Sequence, residues 1–150
     1  MSKGMQQFER NITYRLQVNQ AGMLVLGATL NDRFHDITIE VVVDPQSLVV
    51  QSAQADFRKY PSGDCPNAAR VMQRLQGLVI GKGLSRKITE AVGGIEGCSN
   101  LRTLLLGLLP LALNARAAAG CQNDDEALHV IHEKLLGTCA GYAKPPCQKT

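Results

Sequence analysis

Apolar and polar residues alternate through the first third of the chain and then recur at helical spacing through the rest. Ile12, Tyr14, Leu16 and Val18 alternate with Thr13, Arg15, Gln17 and Asn19. That is the period of a half-buried strand, because successive side chains point to opposite faces. Asn19-Gln20-Ala21-Gly22 has turn chemistry, and Met23 to Leu30 returns as a second strand. Asn31-Asp32-Arg33 breaks the run, and a third strand starts near His35, with Ile37, Ile39, Val41 and Val43 on one face and Thr38 and Glu40 opposite. Asp44-Pro45-Gln46-Ser47 carries the Asp-then-Pro pattern of a type I turn. Leu48 to Phe57 then predicts a fourth strand. Connections this short make the four strands an antiparallel meander.

After Tyr60-Pro61-Ser62-Gly63 the period changes. Ala68, Ala69, Met72 and Leu75 predict a helix from Pro66 to about Leu78, stopped by Gly81-Lys82-Gly83. Leu84 to Val92 predicts a shorter helix that Gly93-Gly94 ends. From Cys98 to Ala118 apolar residues occupy most of the circumference, the mark of a buried central helix. The Ile/Val face of residues 37–43 is expected beneath it. Pro110 predicts a kink near Leu106 and Gly107, since proline has no amide hydrogen to give. Asn123-Asp124-Asp125-Glu126 is an acidic helix start, with a last helix over Ala127 to Cys139. Strands first and helices second give an α+β fold, the helices covering one face of the sheet. One domain over 1–150 is expected, with tails at 1–9 and 144–150.

Composition narrows the function. A chain of 150 residues with 45% apolar and 19% charged residues is an ordinary globular protein. Its net charge of +3 is scattered, with Lys82, Arg86 and Lys87 the single cluster. Three Phe, three Tyr and no Trp leave little to stack on bases, which argues against nucleic acid. The N-terminus lacks the apolar stretch of a signal peptide. The most apolar run, Leu104 to Leu113, contains Pro110 and is too short to cross a bilayer. A cytoplasmic protein without membrane association is expected. Five cysteines, an odd number, fit reduced thiols better than a disulfide framework.

Three residues form the candidate site. Cys65 and Cys98 each open a predicted helix, where the dipole favours negative charge, and His35 opens the third strand. Thiolates and an imidazole are a soft donor set that suits zinc, iron or an iron–sulfur cluster. Asp36 and Asn100 are candidates to supply or orient a fourth ligand. No CxxC pair is present, and lone cysteines often serve as small packing groups. A thiol enzyme with His35 as base is a third reading and lacks a visible orienting group. His129, His132 and Glu133 do not follow the HExxH pattern, Gly81-Lys82-Gly83 is too short for a phosphate loop, and no serine lies in a GxSxG context.

Tyr14, Asp32, His35, PSGDC at 61–65, LQGLVIGKG at 75–83 and GGIEGCSNL at 93–101 together resemble a bacterial domain-of-unknown-function family, the one numbered 2889. In that family the last motif usually reads Gly-Cys-Thr-His-Leu, so Asn100 stands where its histidine would be. The order of strands, Cys65, a helix, a Gly-Lys stop and Cys98 at a further helix is also similar, more distantly, to the U-type iron–sulfur scaffold proteins. That likeness places Asp36, Cys65 and Cys98 at matching positions. The scaffold's first cysteine would fall near Phe34, and its histidine before the last cysteine would be Gly97. The resemblance implies a scaffold-like fold with a degenerate metal site. The competing expectation is an interaction or regulatory subunit, with a protein partner or a second copy, and packing cysteines.

Overall fold

The computed structural model describes residues 4–147. Four strands, β1 (Arg10–Val18), β2 (Leu24–Asp32), β3 (Asp36–Val43) and β4 (Val50–Lys59), form one antiparallel sheet in sequence order. The meander is therefore as the alternation predicts. Leu24, Leu26, Ala28 and Leu30 of β2 and Ile37, Ile39, Val41 and Val43 of β3 are all buried, on the same face of the sheet. Asp44 closes the β3–β4 turn by accepting from the amides of Gln46 (2.9 Å) and Ser47 (2.8 Å). The Ser47 and Gln46 amides hold its carboxyl below the usual range. The turn ends on Leu48, a buried leucine held at φ 57°, in the left-handed region that β-carbons resist.

The first predicted helix is a 3₁₀ coil over Cys65–Leu75 instead of an α-helix. Its buried residues, Ala68, Val71, Met72 and Leu75, follow the i, i+3, i+4, i+7 spacing of a 3.6-residue period, so the 3₁₀ coil departs from what the pattern favours. Downstream the chain is pinned to the start of β4: the Gly77 amide donates to Val50 O, the Val50 amide to Leu78 O and the Ile80 amide to Leu48 O. A 3₁₀ coil spans more length per residue than an α-helix, which suits a segment whose downstream end is held at the start of β4.

Helix α1 (Leu84–Val92) follows as predicted and buries Leu84, Ile88 and Val92. The central apolar helix is divided into α2 (Ser99–Leu108) and α3 (Leu111–Ala117). The break falls beyond the kink expected at Leu106–Gly107. The Leu109 amide still bonds to Leu105 O, and Pro110 stands at the entry to α3, where no amide donor is required. Leu101, Leu104, Leu105 and Leu108 of α2 are fully buried, a contribution of about 2 kcal/mol each. Helix α2 approaches β2 and β1 on this buried face of the sheet. Gly107 permits that approach, since a β-carbon there would lie 2.1 Å from the Tyr14 hydroxyl.

The chain forms two compact units, 1–112 and 113–150. Every buried apolar residue named above belongs to the first. The second contains α4 (Asp124–Lys134), shorter at its C-terminus than the sequence suggests. Asn123 caps it by accepting from the Glu126 amide at 2.9 Å, while Glu126 reaches back to the Gln122 amide.

Candidate functional site

Cys65 and Cys98 line one cleft of about 490 Å³ in the first unit. One wall is the start of the 3₁₀ coil, with Asp64, Asn67, Arg70 and Arg74. The other is the segment Ile95–Cys98 that leads into α2. Both thiols are half-buried and free of disulfide bonds. Arg74 pairs with Glu96 and donates to Ala91 O at 3.3 Å, tying the two walls together.

The backbone at Gly97 fixes where Cys98 sits. A β-carbon at Gly97 would lie 1.8 Å from Val92 O, so no other residue fits this path. The Cys98 amide then donates to the same Val92 O at 3.0 Å. A histidine at position 97, as the scaffold pattern would have it, is incompatible with this backbone.

His35 belongs to a second cluster, built around Asp32. Asp32 is the core-facing residue at the end of β2, in step with Leu24, Leu26, Ala28 and Leu30, and its side chain is wholly buried. Its Oδ1 accepts from the Phe34 and His35 amides, both at 2.8 Å, and from His35 Nδ1 at 2.9 Å. Its Oδ2 accepts from Arg10 Nε at 2.8 Å. Burial alone would raise this carboxyl, but the Phe34 amide, the imidazole and the guanidinium outweigh it and hold the pKa at about 2. Asp32 is therefore ionised and only accepts, so Nδ1 is the donor in this contact, and Nε2 has no hydrogen-bond partner among the described residues. Arg10 also donates to Asn100 Oδ1 at 3.1 Å, linking this cluster to the first turn of α2, two residues after Cys98. Phe8, within the segment expected as a tail, stacks on Phe34 with centroids 6.1 Å apart.

The candidate residues thus divide. Cys65 and Cys98 share the cleft, and His35 and Asn100 join the Asp32–Arg10 cluster. Asp36 falls in step with Thr38 and Glu40, on the sheet face away from the buried one. Among the described residues no three His, Cys, Asp or Glu side chains are gathered closely enough to hold a metal ion. The sequence names Asp32 only within the family pattern and does not name Arg10, because Asn31-Asp32-Arg33 reads as a break and the strand pairing is what puts Asp32 in step with Leu30.

The family model described as "Protein of unknown function (DUF2889)" matches residues 8–114. The chain belongs to that family. No curated protein and no solved structure matches it. The matched region contains the cleft, the Asp32 cluster and both halves of the candidate site, while Cys121, Cys139 and Cys147 lie beyond it. The likeness to the U-type scaffolds rests on the order of residues alone. No helix among the described residues is long and apolar enough to cross a membrane.

Proposed function

We propose that this DUF2889 protein binds a soft metal ion through the thiols of Cys65 and Cys98. The observation that carries the reading is that both thiols open onto the same cleft. Thiolates select zinc, copper(I) and iron–sulfur clusters over hard cations. Two protein thiols do not complete the four-ligand shell of a structural zinc site. The remaining ligands come from solvent or a partner, or from His35 drawn towards the cleft. Its carboxylate-oriented ring, with Nε2 unpartnered among the described residues, is the arrangement common in ligating histidines. Asp32 thereby supplies the orienting group that a thiol–imidazole site needs, whether the thiols hold an ion or react.

The test is elemental analysis, with zinc titration of the reduced full chain purified without a metal-affinity tag. About one ion per chain is expected, abolished by Cys65→Ser or Cys98→Ser and retained when Cys121, Cys139 and Cys147 are all serine. His35→Ala lowers affinity about 10- to 100-fold if the ring is recruited. Loading that survives both Cys65→Ser and Cys98→Ser would overturn the reading. A second reading, an interaction module with packing cysteines, is favoured by one feature: Ile95 at the cleft's rim is fully exposed. It predicts an apo protein of unchanged stability in which Ile95→Asp affects partner binding alone.

A further inference from the structure

The two edges of the sheet are built differently. At the β4 edge the strand's start is covered, because Val49 bridges to Val79 and Val50 is bonded on both its amide and its carbonyl. Its pairing to β3 is irregular at two points, and Asp56, Arg58 and Lys59 put charge along its exposed end. These are the devices by which natural sheets discourage further strands. Strand β1 lacks the cover and the irregular pairing, and its charges are Arg10, which is drawn to Asp32, and Arg15. It pairs with β2 in unbroken register from Arg10↔Asp32 to Val18↔Leu24, and it contains no proline, no lysine and no bulge. On the core side of the sheet its last residues stay uncovered, Leu16 at 36% and Val18 at 62% exposure.

Hydrogen-bond parity decides which groups this edge offers. The hairpin closes with the Asn19 amide donating to Met23 O at 3.0 Å, so the Asn19–Met23 pair is a bonded one. Bonded and non-bonded pairs alternate along an antiparallel ladder. Gln17, Arg15, Thr13 and Asn11 therefore bond to β2, and Arg10, Ile12, Tyr14, Leu16 and Val18 turn their amides and carbonyls to the free edge.

We infer that β1 pairs antiparallel with β1 of a second copy, about a two-fold axis at Tyr14, to make one continuous eight-stranded sheet. The sequence of β1 is self-complementary in that register. Tyr14 meets Tyr14, and Ile12 meets Leu16 on the apolar side. On the polar side Thr13 meets Arg15 and Asn11 meets Gln17, so no two like charges are directly opposed. Arg10, the strand's other cation, is drawn inward by Asp32 and Asn100. Each residue with an outward amide and carbonyl finds another such residue opposite it, as a bonded pair requires. The offset that pairs Leu16 with Leu16 would use only part of the strand, which favours the Tyr14 axis.

The test is sedimentation equilibrium of the reduced full chain, which removes cysteine cross-links, combined with amide hydrogen exchange at low and high concentration. A reversible monomer–dimer equilibrium is expected, with the Tyr14 and Leu16 amides at least tenfold more protected in the dimer. Leu16→Pro removes an amide that points outward and leaves the β1–β2 ladder whole. Leu16→Lys adds an edge charge. Both should weaken the dimer at least tenfold with an unchanged circular dichroism spectrum, and Gln54→Lys on β4 should not. A chain that stays monomeric up to hundreds of micromolar overturns the inference. So does a dimer indifferent to Leu16, or exchange at Tyr14 and Leu16 that stays fast, whether the edge is left bare or reserved for a peptide from another protein.

Discussion

At the scale of single residues, Asp32 has the most to reveal. Its folded carboxyl titrates near 2, below the 3.8 of an unperturbed aspartate. A depressed folded value means that the stabilisation is complete above about pH 4 and is lost as the pH falls towards 2. Over that window wild-type protein should lose about 2 kcal/mol more stability than Asp32→Asn, as read by urea unfolding at a series of pH values. Parallel slopes for the two proteins would mean that the carboxylate is not what the Phe34 amide, His35 and Arg10 hold. This cluster was half legible. His35 stood out as a lone polar residue at a strand start, whereas Asp32 was absorbed into the reading of Asn31-Asp32-Arg33 as a break. Turn chemistry and a buried acceptor look alike in one dimension, and only the pairing of β2 with β1 shows that Asp32 faces the core. Leu48 was illegible for a related reason. Nothing in a leucine announces a positive φ, which the turn imposes to bury it.

At the scale of elements, periodicity locates the strands to within about two residues and favours an α-helix where the coil is 3₁₀. Ala68, Val71, Met72 and Leu75 follow the α-helical spacing, while just downstream Gly77, Leu78 and Ile80 are bonded to Leu48 and Val50 at the start of β4, a tertiary tie that local spacing does not show. Pro110 was read correctly as an interruption and placed too early, because a proline can bend one helix or begin another. Gly107 gives the test of how α2 meets the sheet. In an exposed helix Gly→Ala stabilises by about 1 kcal/mol. Here the added methyl group meets the Tyr14 ring, so Gly107→Ala should instead destabilise by about 1–2 kcal/mol, the usual cost of overpacking. Thermal unfolding of Gly107→Ala alone and combined with Tyr14→Ala separates the two terms. A stabilised single variant would mean that α2 stands further from β1.

At the scale of the whole molecule, family region and compact unit nearly coincide, at 8–114 and 1–112. No described residue beyond Ala112 is buried. Residues 1–112 expressed alone should therefore unfold cooperatively with a midpoint within a few degrees of the full chain, measured by circular dichroism. A broad or absent transition would show that residues 113–150 are required for the fold. The order of strands and helices, and so the α+β class, was readable throughout, because it needs only the change from a period of two to a helical one. The division near Ala112 was not, since apolar residues continue through Leu113 without a linker composition. The 3₁₀ coil also sets a dimension of the molecule. Its 11 residues rise about 2.0 Å each, against about 1.5 Å in an α-helix, so recoiling the segment would shorten it by roughly 5 Å. Ala68, Val71, Met72 and Leu75 are buried along the coil, so that extra length sets how far the Cys65 wall of the cleft stands from Leu75.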